Sequence, residues 1–147
     1  MVTNLKFSIT LKPVGYDNHW PKFYLKLDNQ HMASGVLHEQ QTYNYDSDLE
    51  NGPHSIVVGF TNKNDDDTVL VNGQMVADKA IIVESISIEG YKFDDFLYQA
   101  QYYPVDKEVM QSSYISWNGE WRLDITTPIF TWLHRVQHLG WVYEKNI

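Results

Sequence analysis

A chain of 147 residues is long enough for one domain that buries roughly two thirds of the surface its unfolded form exposes. Nineteen acidic residues against eleven basic ones give a formal net charge of −8, which opposes the counterion release that drives binding to nucleic acids. The absence of cysteine removes disulfide frameworks, thiolate metal sites and cysteine nucleophiles together.

The start, MVTNLKFSITLKPVG, has no basic region followed by an unbroken apolar stretch. No apolar run approaches the roughly 20 residues that a membrane span needs. The expectation is a soluble chain with no export signal and no membrane insertion. Within the same stretch Leu5, Phe7, Ile9 and Leu11 alternate with Lys6, Ser8, Thr10 and Lys12, the period-2 pattern of a half-buried strand. Pro13 and Gly15 mark a turn, and Trp20 before Pro21 lies at another, where exposure is expected. The alternation returns at Phe23, Leu25 and Leu27. Tyr43 and Tyr45 share one strand face beside an acidic turn. After Asn51-Gly52-Pro53, the residues Ile56, Val58 and Phe60 form a further apolar face.

Next comes FTNKNDDDTVLVNG, residues 60 to 73. Asn62, Asn64, Asp65, Asp66 and Asp67 put several oxygen donors at a strand end, and Asp78 returns after the hairpin that Asn72-Gly73 predicts, since a type I′ turn needs positive φ at both positions. Two readings stay open: a hydrated, self-repelling turn, or a calcium site, because calcium takes six to eight oxygen ligands. The segment 79 to 90, KAIIVESISIEG, is apolar enough for a central strand. If Ile82, Ile86 and Ile88 face inward, Glu84 shares their face and needs a partner or a metal; the alternative is a bulge that turns it outward. Trp117 precedes an Asn118-Gly119 turn, and Trp121, Leu123 and Ile125 alternate after it. Thr127 and Pro128 then open an amphipathic helix, PIFTWLHRVQHL, closed by Gly140, with Ile129, Phe130, Leu133 and Val136 on one stripe.

Many short strands with closely spaced turns predict an all-β fold: a single antiparallel β-sandwich over 1–147, jelly-roll-like, with one short C-terminal helix. The motifs of nucleophilic and phosphate chemistry, GxSxG, GxxxxGK[ST] and GxGxxG opening a helix, are absent, so a noncatalytic role is expected. His134 and His138 are four apart, but Arg135 stands where a zinc protease has its glutamate, which favours a surface or packing role.

GPHSIVVGFTN, residues 52 to 62, followed by DKAIIVESISIEG, residues 78 to 90, resembles the core of calcium-dependent carbohydrate-binding modules of the xylan-binding type. Those modules have a strand ending in Phe-x-Asn-Asp, a loop, and Asp-Arg-Asn-Leu-x-Val-Asp leading to a strand that ends in Gly. The resemblance spans about a quarter of the chain. It implies Ca2+ as a cofactor, with Asn62, Asp78 and Glu84 in ligand places and Asp65, Asp66 and Asp67 beside them. This chain has Lys63 where the family has Asp, Lys79-Ala80 for Arg-Asn, and Glu84 for Asp. The wider pattern, NDDDT before a hairpin, QYYP, then WNGEW and PIFTWL, resembles small proteins of tailed bacteriophages and implies a β-sandwich with a virion or host-surface role.

Aromatic residues make up 14% of the chain. Sugar rings stack their C–H faces on exposed aromatic planes, so Trp20, Tyr43, Tyr45 and Trp117 are the candidate ligand-binding residues, whereas Trp121 and Trp132 are expected to be buried. The leading expectation is a noncatalytic module that binds glycan through loop aromatics and an acidic, calcium-bound loop. One alternative is a virion decoration protein whose partners are virion proteins or further copies of itself. Another is a glycan hydrolase, which requires two carboxylates facing one cleft.

Overall fold

The computed structural model describes residues 1–92, 97 and 99–136; the expected helix end at Gly140 and the second histidine, His138, lie outside them. Twelve strands are formed: β1 (Val2–Val14), β2 (Lys22–Leu27), β3 (Gln30–Val36), β4 (Gln41–Glu50), β5 (Gly52–Phe60), β6 (Val69–Val71), β7 (Gln74–Ala77), β8 (Ala80–Ile88), β9 (Tyr91–Lys92), β10 (Gln101–Pro104), β11 (Tyr114–Ile115) and β12 (Gly119–Thr127). One sheet has the order β11-β8-β1-β4, with β9 also pairing β8. The other has the order β10-β12-β5-β2-β3, and β6 and β7 form a separate two-stranded hairpin. Every pairing is antiparallel.

Period-2 alternation makes this a sandwich. Leu5, Phe7, Ile9 and Leu11 from one sheet meet Phe23, Leu25, Leu27, Ile56, Val58, Phe60, Trp121, Leu123 and Ile125 from the other, and all are buried in one core. Each such side chain stabilises the fold by about 1.5–3 kcal/mol relative to an exposed one. The fold is thus an antiparallel β-sandwich with a short C-terminal helix.

Strand β8 departs from simple alternation. Thr10 pairs with Ser85 while Leu11 pairs with Val83, so Glu84 is the extra residue of a bulge and is exposed. The bulge shifts the phase: Ile81 and Val83 are buried before it and Ile86 and Ile88 after it, leaving Ile82 half-buried rather than inward.

The β6–β7 hairpin turns on Asn72 and Gly73, with φ of 54 and 79 degrees, as its turn type requires. Leu70, Val71, Met75 and Val76 on it are exposed. The helix α1 (Ile129–Val136) packs on β12 through Ile129, Trp132 and Leu133, but Phe130, expected on the same stripe, faces solvent. Thr127 closes β12, and its hydroxyl donates to the Glu50 carbonyl. Among the described residues no helix is long and apolar enough to cross a membrane.

Candidate functional site

The acidic loop folds around two lysines. Where β5 ends, the Asn118 side chain grips the Lys63 backbone: its Oδ1 accepts from the Lys63 N–H at 2.7 Å and its Nδ2 donates to the Lys63 carbonyl at 3.0 Å. This grip sends the Lys63 side chain inward, where it and the Asp78 side chain are 2% and 3% exposed. The Lys63 ammonium donates to Asp78 Oδ1 and, at 2.6 Å, to the Lys79 carbonyl. Asp78 Oδ1 also accepts from the Thr68 hydroxyl at 2.7 Å and the Lys79 N–H at 2.8 Å, while Oδ2 accepts from the Tyr114 hydroxyl.

A second pair lies alongside. The Lys79 ammonium is 2.9 Å from Asp67 Oδ2, with both side chains 5% exposed. Asp67 also accepts from the Asn64 N–H at 2.8 Å and the Tyr16 hydroxyl at 3.0 Å, and this closes the one-turn 3-10 helix Asp65–Asp67. Burial raises the pKa of both aspartates, yet the hydrogen bonds outweigh it and hold each below the ordinary carboxylate value: for Asp78 from Lys63, Tyr114 and Thr68, for Asp67 from Lys79, the Asn64 amide and Tyr16. Tyr114 is affected the other way, since burial first and then its bond to Asp78 push its hydroxyl up.

Beside this network opens a cleft of about 570 Å³, lined by Asp65, Met75, Lys107, Met110, Tyr114 and Trp117 among others. Trp117 is pinned by its backbone: its N–H donates to the Tyr102 hydroxyl at 2.8 Å, and its carbonyl accepts from that hydroxyl. The Lys107 ammonium sits 5.0 Å from the centroid of the indole. The cleft therefore combines an indole whose backbone is held by two hydrogen bonds, the Lys107 cation against its ring and the exposed Asp65 carboxylate.

Of the expected metal ligands, only Asp67 and Asp78 belong to the lysine network. Asn62 instead fastens the chain before β2, its Oδ1 accepting from the Lys22 N–H at 2.8 Å and its Nδ2 donating to the Trp20 carbonyl at 3.0 Å. Asp65 and Asp66 are exposed, and Glu84 is on the outward bulge of β8. No three His, Asp or Glu side chains that could share a metal come together among the described residues. Calcium needs six to eight free oxygens. Here the buried carboxylates are occupied by ammonium groups and hydroxyls, so the residues present do not fit the ion.

Of the expected aromatic ligands, Trp117 alone lines this cleft. Tyr43 and Tyr45 pair with Ile9 and Phe7 in register and so share their inward face, where Tyr43 packs on Phe23 at 5.6 Å and Tyr45 stacks on Phe7 at 5.2 Å between centroids. A strand neighbour that faces the core takes its partner's side chain with it, which is why this pair is half-buried rather than a free platform. Trp20 is half-buried against Gly15 and meets His38 edge-on at 6.0 Å. Lys63 and Lys79 show in the sequence only as departures from a motif. Tyr114 and Lys107 carry no local signal, because their roles depend on contacts across many residues.

No family model and no curated protein sequence matches this chain. Two solved structures do. One is vCBM60 in complex with galactobiose, with a TM-score of 0.50 and 15% identity over 82% of this chain and 99% of that one. The other is a selenomethionine form of vCBM60, described in connection with a circular permutation linking two families of calcium-dependent carbohydrate-binding modules, with a TM-score of 0.50 and 15% identity over 81% of this chain and 89% of that one. At this identity the likeness establishes the fold.

Proposed function

We propose that this protein is a noncatalytic glycan-binding module whose site is the Trp117 cleft. The observation that carries the reading is the backbone-pinned indole in an open cleft, with Asp65 and Lys107 beside it. A sugar stacks its C–H face on the indole, while Asp65 accepts from hydroxyls and Lys107 donates to them. The fold likeness to a module seen with galactobiose supports the same class of ligand. Among the described residues the cleft is lined by two carboxylates, the exposed Asp65 and Asp78, which is buried and paired with Lys63.

The loop holds its shape through the Lys63–Asp78 and Lys79–Asp67 pairs, and binding is independent of calcium. A glycan array probed with the intact protein and with Trp117→Ala, both in chelator, tests the assignment. Retention of galacto- or xylo-oligosaccharides by the intact protein and its loss in the variant is the expected result. Equal retention by both proteins would move the site elsewhere.

A second reading, a virion or host-surface protein that docks on another protein or on its own copies, is favoured by one observation. Among the described residues the β6–β7 hairpin pairs with no other strand, and it exposes Leu70, Val71, Met75 and Val76, apolar side chains of the kind that mark protein contacts. Sedimentation velocity on the intact protein and on Leu70→Ser/Val76→Ser decides it. Self-association lost in the variant would support this reading, and a monomer in both cases would remove its self-association form.

A further inference from the structure

Across the outer face of the second sheet, register aligns one row of residues. Tyr24 on β2 pairs with Gly59 on β5, Gly59 pairs with Glu120 on β12, and Glu120 pairs with Tyr103 on β10. Their sequence neighbours Phe23, Phe60, Trp121 and Tyr102 are buried in or against the core, so this row points outward. Gly59 shapes it. A Cβ at that position would fall 2.0 Å from Tyr24 Cζ, which means that the phenol lies flat over the bare backbone of β5. Its hydroxyl reaches across and donates to Glu120 Oε2. Burial, and then that bond, push the Tyr24 hydroxyl above its ordinary range.

The row has the chemistry of a sugar platform. Tyr24 presents a ring held in one orientation, with the Lys26 ammonium 4.8 Å from its centroid. Tyr103 is 39% exposed and has the Arg122 guanidinium 5.9 Å from its own ring, while Arg122 Nη2 is 4.0 Å from Glu120 Oε1. Between the rings lies a carboxylate that accepts from hydroxyls, and on the neighbouring row of the same face Lys26 and Arg122 supply donors. The surrounding cleft is about 610 Å³ and includes Thr61, Asn118 and Gly119.

The two clefts flank the edge strand β10, on opposite faces of it, and meet the same turn before β12. Trp117 lines one and Asn118 to Glu120 the other, while Pro104 lines the first and its neighbours Tyr103 and Val105 line the second. We propose that the Tyr24–Glu120–Tyr103 row is a second glycan subsite, which takes the sugars of a linear oligosaccharide beyond those seated on Trp117. The ligand class rests on the function proposed above; the position of the subsite rests on the row itself. Binding strengthens with chain length, because only longer oligosaccharides reach both rings.

The test is titration of the intact protein, Tyr24→Ala, Tyr103→Ala and Glu120→Gln with galacto- and xylo-oligosaccharides of increasing length, each variant first confirmed as folded by its melt. Tyr103→Ala, at an exposed position, serves if Tyr24→Ala does not fold. In the intact protein affinity should rise with length, and the variants should lose about tenfold for long ligands, the size of a good aromatic contact, with disaccharide affinity unchanged. A length dependence that persists in every variant, or none in the intact protein, would overturn the subsite. Loss of all binding in Tyr103→Ala with none in Trp117→Ala would overturn the Trp117 reading and leave the row as the binding site. No binding of any ligand by the intact protein would end both.

Discussion

At Lys63 a buried ammonium meets a buried carboxylate, and deleting either one strands the other where solvent does not reach. Lys63→Met should therefore destabilise the fold by about 3–5 kcal/mol, read as a lower denaturant midpoint at unchanged slope. A loss below about 1 kcal/mol would mean that Asp78 finds other partners. The same pairs set the acid limb of stability. Asp67 and Asp78 have folded pKa values below their ordinary 3.8, so their contribution is present above the unfolded value and disappears as pH falls through the folded one. Stability should thus drop below about pH 4, and less steeply in Asp78→Asn. His54 acts with the opposite sign. Burial lowers its pKa, but the bonds to Asp28, at 2.7 Å, and to the Glu50 carbonyl win and raise it above 6.5. Its contribution is complete below the unfolded value and fades as pH rises through the folded one, so His54→Gln should flatten the neutral-to-alkaline limb of a melting series. Lys63 and Lys79 are visible in the sequence as misfits to a calcium motif. Their partners are not, because charge pattern says nothing about which carboxylate lies within reach of which ammonium 12 or 15 residues away.

The strands were the legible elements. Alternation placed Leu5 to Leu11, Phe23 to Leu27, Ile56 to Phe60 and Trp121 to Ile125 on their buried faces, because a strand with one face in a core cannot slip by one residue. Alternation left Glu84 open between the core and a bulge, and the bulge is what changes the phase of β8; it put Tyr43 and Tyr45 on one face without saying which, because that depends on a partner strand more than 30 residues earlier. Gly59 illustrates what period alone does not convey. It reads as a weak point in β5, yet its missing side chain is what lets Tyr24 lie across the sheet. Gly59→Ala should displace that ring, break its bond to Glu120 and cost about 1–3 kcal/mol, measured by chemical denaturation. The β6–β7 hairpin behaves differently, since its apolar side chains contribute little to the core. Leu70→Ser should change stability by less than about 0.5 kcal/mol.

For the whole molecule, the two sheets and their loops assign separate tasks to separate faces. The inner faces make the core. The loop end carries two buried ion pairs, in a protein whose net charge is −8. A site built in this way is complete when the chain folds, so neither stability nor binding should respond to metal. The most direct measurement is calorimetric titration of the purified protein with galacto- and xylo-oligosaccharides, first in chelator and then in excess calcium, with Trp117→Ala in parallel. The account predicts the same affinity in both buffers and none in the variant. Binding that appears only with calcium, or that survives loss of the indole, would contradict it.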